Sequence, residues 1–229
     1  MKRVKWFNAD WPLSLRTMAT RMRASSFTSE SNDGFLVERS RDNMIEGRYI
    51  EKMSYQEVLD DPFGNKLSFD RLAYRQVMFV LFSDFPRFEM RDAPRGTQGC
   101  VSRLLQLCDF SASIAGLNVD VLRWIDAFSR ETGRRVVIDS LRVSGIEIEP
   151  GVLARIVLTG SKDVRAALKD VARNRSYQLD RAQAEVQDGG RSLPVQFSAT
   201  GSVAVRDEDF EELYPSLRAS IRRVGGDLR

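Results

Sequence analysis

Histidine is absent from all 229 residues. It is the usual proton carrier near neutrality and the commonest metal ligand. Its absence excludes Ser-His-Asp and Cys-His nucleophile systems, two-histidine zinc sites and histidine-based nuclease centres. Cysteine occurs only at Cys100 and Cys108, too few for a four-thiolate zinc site within one chain. If both lie on one helix, eight residues at about 1.5 Å rise separate them by about 12 Å, beyond disulfide reach. Carboxylate, lysine, tyrosine, serine or arginine chemistry remains, or binding without chemistry.

Long apolar runs are missing as well, since no stretch approaches the ~18 consecutive apolar residues that span a bilayer. The first residues, MKRVKWFNADWP, begin with charge and lack the apolar centre of a secretory signal, so the cytoplasm is the expected compartment. Lysine is scarce. It occurs at Lys2, Lys5, Lys52, Lys66, Lys162 and Lys169, which leaves 29 of the 35 cationic residues as arginine. Arginine pairs bidentately with phosphate or carboxylate and stacks on bases, although its spread along the chain also suits a plain solvated cation. Hydrophobic residues make up 42% and charged residues 29%, which is ordinary for a globular chain long enough for one large or two smaller domains.

Breakers and periodicity divide the chain. Residues 3–8 read as a strand and 13–24 as a helix, with a polar loop after it. Residues 35–39, 47–59 and 67–82 read as strands of an antiparallel sheet. The turn Asp60-Asp61-Pro62-Phe63-Gly64-Asn65 joins the last two into a long hairpin. A change of apolar phase near Asp70-Arg71 predicts a bulge. Tyr49, Tyr55, Tyr74, Met53 and Met78 are expected to face one another across this hairpin. A short strand at 87–91 follows.

Helical spacing takes over at 100–107, with a short strand at 111–115. Residues 119–132 form an amphipathic helix with Asn118 as N-cap and Gly133 as its end. Residues 134–143 and 152–159 make a hairpin around Glu149-Pro150-Gly151. Ser161 is expected to cap a helix at 162–173. Residues 177–187 and 192–205 make another hairpin, around Asp188-Gly189-Gly190. A last helix, 207–224, carries acids at its start and arginines at its end, matching the helix dipole. The expected fold is α+β: antiparallel sheets with long β-hairpins, the C-terminal part a twofold helix–hairpin arrangement with a terminal capping helix. The expected division is a mainly antiparallel β unit at 1–96 and an α+β unit at 97–229.

The amino-terminal segment carries the most suggestive side chains. Residues 1–24 hold Lys2, Arg3, Lys5, Arg16, Arg21 and Arg23 against Asp10 alone, a balance of +5 in a chain of +3. Trp6, Phe7 and Trp11 lie among these cations. Cations hold phosphates and exposed aromatics stack on bases, so Lys2, Arg3, Lys5, Trp6, Arg16, Arg21 and Arg23 are candidate nucleic-acid contacts. Burial of the aromatics as anchors of the first strand is the competing expectation.

Arg91 and Arg95, beside Gly96-Thr97-Gln98-Gly99, are candidate anion ligands. So is Lys162, which follows Gly160-Ser161 at an expected helix start. The glycine spacing of a nucleotide-hydrolysing phosphate loop is missing. Asp139, Glu147 and Glu149 are the nearest approach to a strand-borne metal site, but no lysine accompanies them. No cofactor is expected.

These residues point to a non-enzymatic binding or adaptor protein, a component of a larger assembly that contacts a protein partner or further copies of itself, and nucleic acid. No membrane contact is expected. A carboxylate-only metal-dependent nuclease or phosphoesterase is one alternative, and a self-assembling structural protein is the other.

Overall fold

The computed structural model describes residues 1–64, 66–173 and 175–225. Asn65, the last residue of the expected turn, lies outside the described residues. The chain forms two compact units, one of Met1–Asn8 with Ala115–Arg229 and one of Ala9–Ile114. The fold is α+β, with antiparallel strands and long hairpins.

The first strand, β1 (Lys2–Asp10), begins the chain. Helix α1 (Leu15–Ala24) follows, with the Ser14 hydroxyl capping the amide of Thr17. Leu15, Met18, Ala19 and Met22 are its buried face. Strands β2 (Asp33–Arg41), β3 (Met44–Asp60), β4 (Lys66–Phe82) and β5 (Phe88–Arg91) lie side by side in that order. Phe35, Ile45, Phe79, Leu81 and Phe88 form their buried layer. Phe79 meets Phe35 edge-on at 5.9 Å, a geometry that aromatic quadrupoles favour. Helix α2 (Gln98–Leu107) buries Cys100, Leu104 and Leu107.

The β3–β4 ladder runs without interruption from Met44 opposite Phe82 to Asp60 opposite Lys66. The bulge expected near Asp70-Arg71 is therefore absent. The change of apolar phase occurs where both ribbon faces are exposed, so no core dictates which side chains alternate. The expected mutual packing of the tyrosines and methionines also fails. Tyr49 stands opposite Val77, Tyr55 opposite Arg71, and Tyr74 opposite Lys52. Tyr49, Met53 and Tyr55 thus share one face, while Tyr74 and Met78 lie on the other.

In the other unit, after β6 (Ser113–Gly116), helix α3 (Val121–Thr132) precedes the hairpin of β7 (Arg135–Glu149) and β8 (Val152–Thr159). Helix α4 (Arg165–Ala172) precedes β9 (Gln178–Asp188) and β10 (Arg191–Ser198), joined through Gly189 and Gly190. Both glycines have positive φ, as a tight hairpin of matching twist requires. Strand β11 (Ser202–Val205), a 3-10 turn at Asp207–Asp209 and helix α5 (Phe210–Gly225) complete the unit. The strand order is β1-β11-β10-β9-β7-β8. Helix–hairpin thus occurs twice and α5 packs on α3, giving the expected terminal capping helix.

Three local expectations fail for identifiable reasons. Asp120 rather than Asn118 caps α3, because its carboxylate reaches the amides of Leu122 and Arg123 at 3.0 and 3.1 Å. Ser161 caps nothing, since α4 begins at Arg165 and the Asp163 carboxylate takes the Arg165 amide at 3.0 Å. The strand expected over 192–205 breaks at Ala199-Thr200-Gly201, where Gly201 has φ +69° and its carbonyl accepts the Trp6 amide at 2.9 Å.

Candidate binding surfaces

The candidate nucleic-acid contacts of the amino-terminal segment separate into two groups. Lys2, Arg3, Lys5 and Trp6 belong to the first unit, and Arg16, Arg21 and Arg23 to the second. From Arg3 to Phe7 the strand alternates, with Val4 and Trp6 buried and Arg3 and Lys5 on the opposite face, before the pattern shifts at Asn8 and the buried Ala9. Trp6 is wholly buried and meets Trp124 edge-on at 5.8 Å. Its ring therefore anchors the strand and has no face to offer a base. The Lys2 ammonium lies 3.8 Å from Glu211 and over the Phe210 ring at 4.9 Å, and the Lys5 ammonium lies over Phe7 at 5.0 Å.

On α1, Arg21 donates to the Leu107 carbonyl and pairs with Asp109 at 2.8 Å, which ties it to its own unit. Arg16 makes a looser, exposed pair with Asp42 at 3.5 Å. Arg23 is exposed. Arginine Arg21 is thereby a structural tie, while Arg16 and Arg23 keep surface positions.

Arg91 is already neutralised. It reaches Glu89 at 2.6 Å and Glu46 at 3.0 Å, and the Glu89 side chain is completely buried. A guanidinium that satisfies a buried carboxylate has little left for an incoming anion. Arg95 is exposed on the loop before α2, where Thr97 makes no side-chain cap. Lys162 is exposed, but the α4 start it was expected to serve is occupied from within. Asp163 accepts from the Arg165 and Ile138 amides and from the Arg165 guanidinium, doing what a bound anion would do. Burial pushes the Asp163 carboxyl up, and these hydrogen bonds overcome it, holding it below the usual range.

The three candidate acids do not converge. Asp139 sits at a bulge of β7, between Ile138 opposite Ala184 and Ser140 opposite Gln183. Glu147 lies eight residues further on, about 26 Å along an extended strand, and accepts the Gly151 amide at 3.0 Å. One cation cannot span that gap. Among the described residues, no three acids or cysteines gather as metal ligands. Burial, and secondarily the charge of Glu185, raises the Asp139 carboxyl above its ordinary range.

Two surfaces stand out that composition did not single out. One is the outer half of the β3–β4 ribbon. There Tyr55, Leu59, Leu67, Phe69 and Leu72 are exposed, and Phe63 at the turn is 90% exposed. Strand β2 pairs with β3 only as far as Glu51, and β5 with β4 only from Met78. Beyond those points the ribbon is two-stranded, for about 24 Å from Met53 to Asp60. The Phe63 signal was legible as an aromatic in a turn, whereas the loss of flanking strands was not.

The other surface is the face of β7, β9 and β10 that carries Ser140, Arg142, Arg181, Gln183 and Gln196. These side chains line a shallow depression of about 120 Å³ together with Val157. Arginine spacing on separate strands leaves no local signature, so only the ladder register brings them together.

Among the described residues, no helix is long and apolar enough to cross a membrane. No protein-family model matches the chain, and no curated protein matches it.

Proposed function

We propose that this chain is a non-enzymatic, cytoplasmic binding protein that joins a larger assembly through the outer half of its β3–β4 ribbon. The observation that carries the proposal is the ribbon's combination of exposed apolar side chains and unpaired edges. An isolated two-stranded ribbon is marginal in water, and large contiguous apolar surfaces on monomers mark contact sites. Tyr55, Leu59, Leu67 and Phe69 share one ribbon face by register, so a single partner surface can cover them together. Open edges allow that partner to add a strand, with backbone bonds giving affinity and alternate side chains giving specificity. The partner is a protein with an apolar groove or an open sheet edge of its own.

The test compares the full chain with the variant Leu59→Ser/Phe63→Ser/Phe69→Ser. Tagged protein is recovered from its native host at moderate salt after nuclease treatment. The expected result is a defined protein in stoichiometric amount with the parent, lost with the variant, while both unfold alike. A parent recovered as a solitary monomer, or a variant that keeps the same company, overturns the reading. Concentration-dependent mass in light scattering, abolished in the variant, would instead assign the ribbon to self-assembly. Magnesium-dependent turnover lost in Asp139→Asn would replace the binding role with a catalytic one.

A further inference from the structure

Arg142 and Arg181 stand directly opposite each other across β7 and β9. Both are exposed, and their strand neighbours Leu141 and Ala182 are buried on the other face. Like charges placed directly opposite destabilise an antiparallel pair, so a neutralising acid is the ordinary accompaniment. In this unit Arg123, Arg134, Arg165, Arg191, Arg206 and Arg223 each have one, whereas Arg130 and Arg135, which stand opposite no like charge, have none among the described residues. Among the described residues, no carboxylate pairs with Arg142, Arg181 or the exposed Arg155 of β8.

The ladder extends this charge across the sheet. Arg181 lies opposite Ser198, Ser198 opposite Ser202, and Ser202 opposite Lys5. One row of side chains therefore starts at Arg142 and ends at Lys5, four strand spacings or about 19 Å away. The next row brings Ser140, Gln183 and Gln196 together and ends at Arg3. Half-exposed Ser198, Ser202 and Gln196 lie between the cations, and the buried Ala204 separates Gln196 from Arg3. Lys5 lies over the ring of Phe7, which places an aromatic at the far end of the row.

We infer that this face binds the phosphate backbone of single-stranded nucleic acid. Arg142 and Arg181 hold one or two adjacent phosphates in the depression between them, and Lys5 and Arg155 extend the track. A guanidinium pair suits phosphate oxygens by bidentate geometry, and an incoming phosphate relieves the repulsion between the two arginines. Gln183 and Gln196 each offer donors and an acceptor, which unpaired base edges can use. This binding is independent of the ribbon reading, and the two tests alter different residues.

The experiment measures fluorescence anisotropy of fluorescein-labelled 20-residue oligomers of dT and of U with the full chain, at about 50 and 200 mM salt. The expected result is binding that weakens about tenfold or more in Arg142→Ala/Arg181→Ala. The salt slope should fall by about 1.4, the contribution of two single-strand phosphate contacts. Arg123→Ala/Arg130→Ala, which removes the same charge from α3, should bind like the parent. Thermal unfolding of all three must coincide. A twofold or smaller change in Arg142→Ala/Arg181→Ala overturns the proposal. So does equal weakening in the α3 variant, which would mean diffuse attraction only, or tighter binding of a duplex than of either single strand. Absence of binding to either oligomer at about 100 µM protein and the lower salt also overturns it.

Discussion

The indole N–H of Trp124 donates to the hydroxyl of Ser220 at 3.0 Å, a hydrogen bond between two wholly buried side chains that joins α3 to α5. The Ser220 hydroxyl in turn donates a hydrogen bond to the Leu217 carbonyl at 2.8 Å, so both groups are satisfied. The Ser220→Ala variant leaves the indole N–H buried without an acceptor. Its expected cost is about 1–3 kcal/mol, read from the urea midpoint with the m-value unchanged.

Glu89 tests the opposite kind of pairing. Arg91→Met removes a cation that this fully buried carboxylate contacts at 2.6 Å. The expected loss is about 3–5 kcal/mol by thermal or denaturant unfolding. Adding Glu89→Gln should recover part of it, because the buried charge is then gone. If Arg91 were a free anion ligand, its removal would leave stability unchanged.

The two thiols report on burial through pH. Burial pushes Cys100 up to about 12, and burial also raises Cys108 against the opposing charge of Arg21. An unfolded thiol titrates near 8.5, so the folded state holds these protons more tightly. The stability they contribute is complete below that value and is lost as pH rises toward the folded values. Unfolding free energy should therefore decline above about pH 9, with a shallower decline in Cys100→Ala. A thiol reagent at pH 8 should leave Cys100 unmodified in the native protein and modify both cysteines after unfolding.

Asp163 gives the acid-side counterpart. Its folded carboxyl titrates below the unfolded value of 3.8, so its contribution is present above that value and is lost as pH falls. Asp163→Asn should flatten stability between pH 5 and pH 3 relative to the parent.

Gly201→Ala should be destabilising by about 1–3 kcal/mol. The position has φ +69°, and an added Cβ would lie 2.8 Å from Cβ of Leu117. Circular dichroism melts of the variant and parent would measure the shift. An unchanged melting temperature would mean that the loop between β10 and β11 can rearrange freely.

Much of the fold was legible because its signals are local. The Gly189-Gly190 turn, the αL glycine Gly133 after α3, and the Pro150-Gly151 reversal all depend on backbone preferences that neighbours cannot override. Capping was less legible. Asn118 and Asp120 are both good N-caps, and only the folded geometry shows which carboxylate or amide reaches two free amides. The amino-terminal site was legible as charge but not as surface. Trp6 and Lys5 are adjacent in sequence, yet a strand sends one into the core and the other away from it. The pairing of Arg142 with Arg181 depends on residues 39 positions apart and on a bulge at Asp139, and neither leaves a trace in a single sequence.

The ribbon's isolation also bears on the fate of the chain inside a cell. Backbone amides from Met53 to Asp60 have one neighbouring strand to rely on, so local opening there costs far less than unfolding either unit. Cleavage by housekeeping proteases would begin at that projection whenever it is uncovered. If the proposed partner covers the ribbon, the lifetime of each copy would be set by how quickly the two meet.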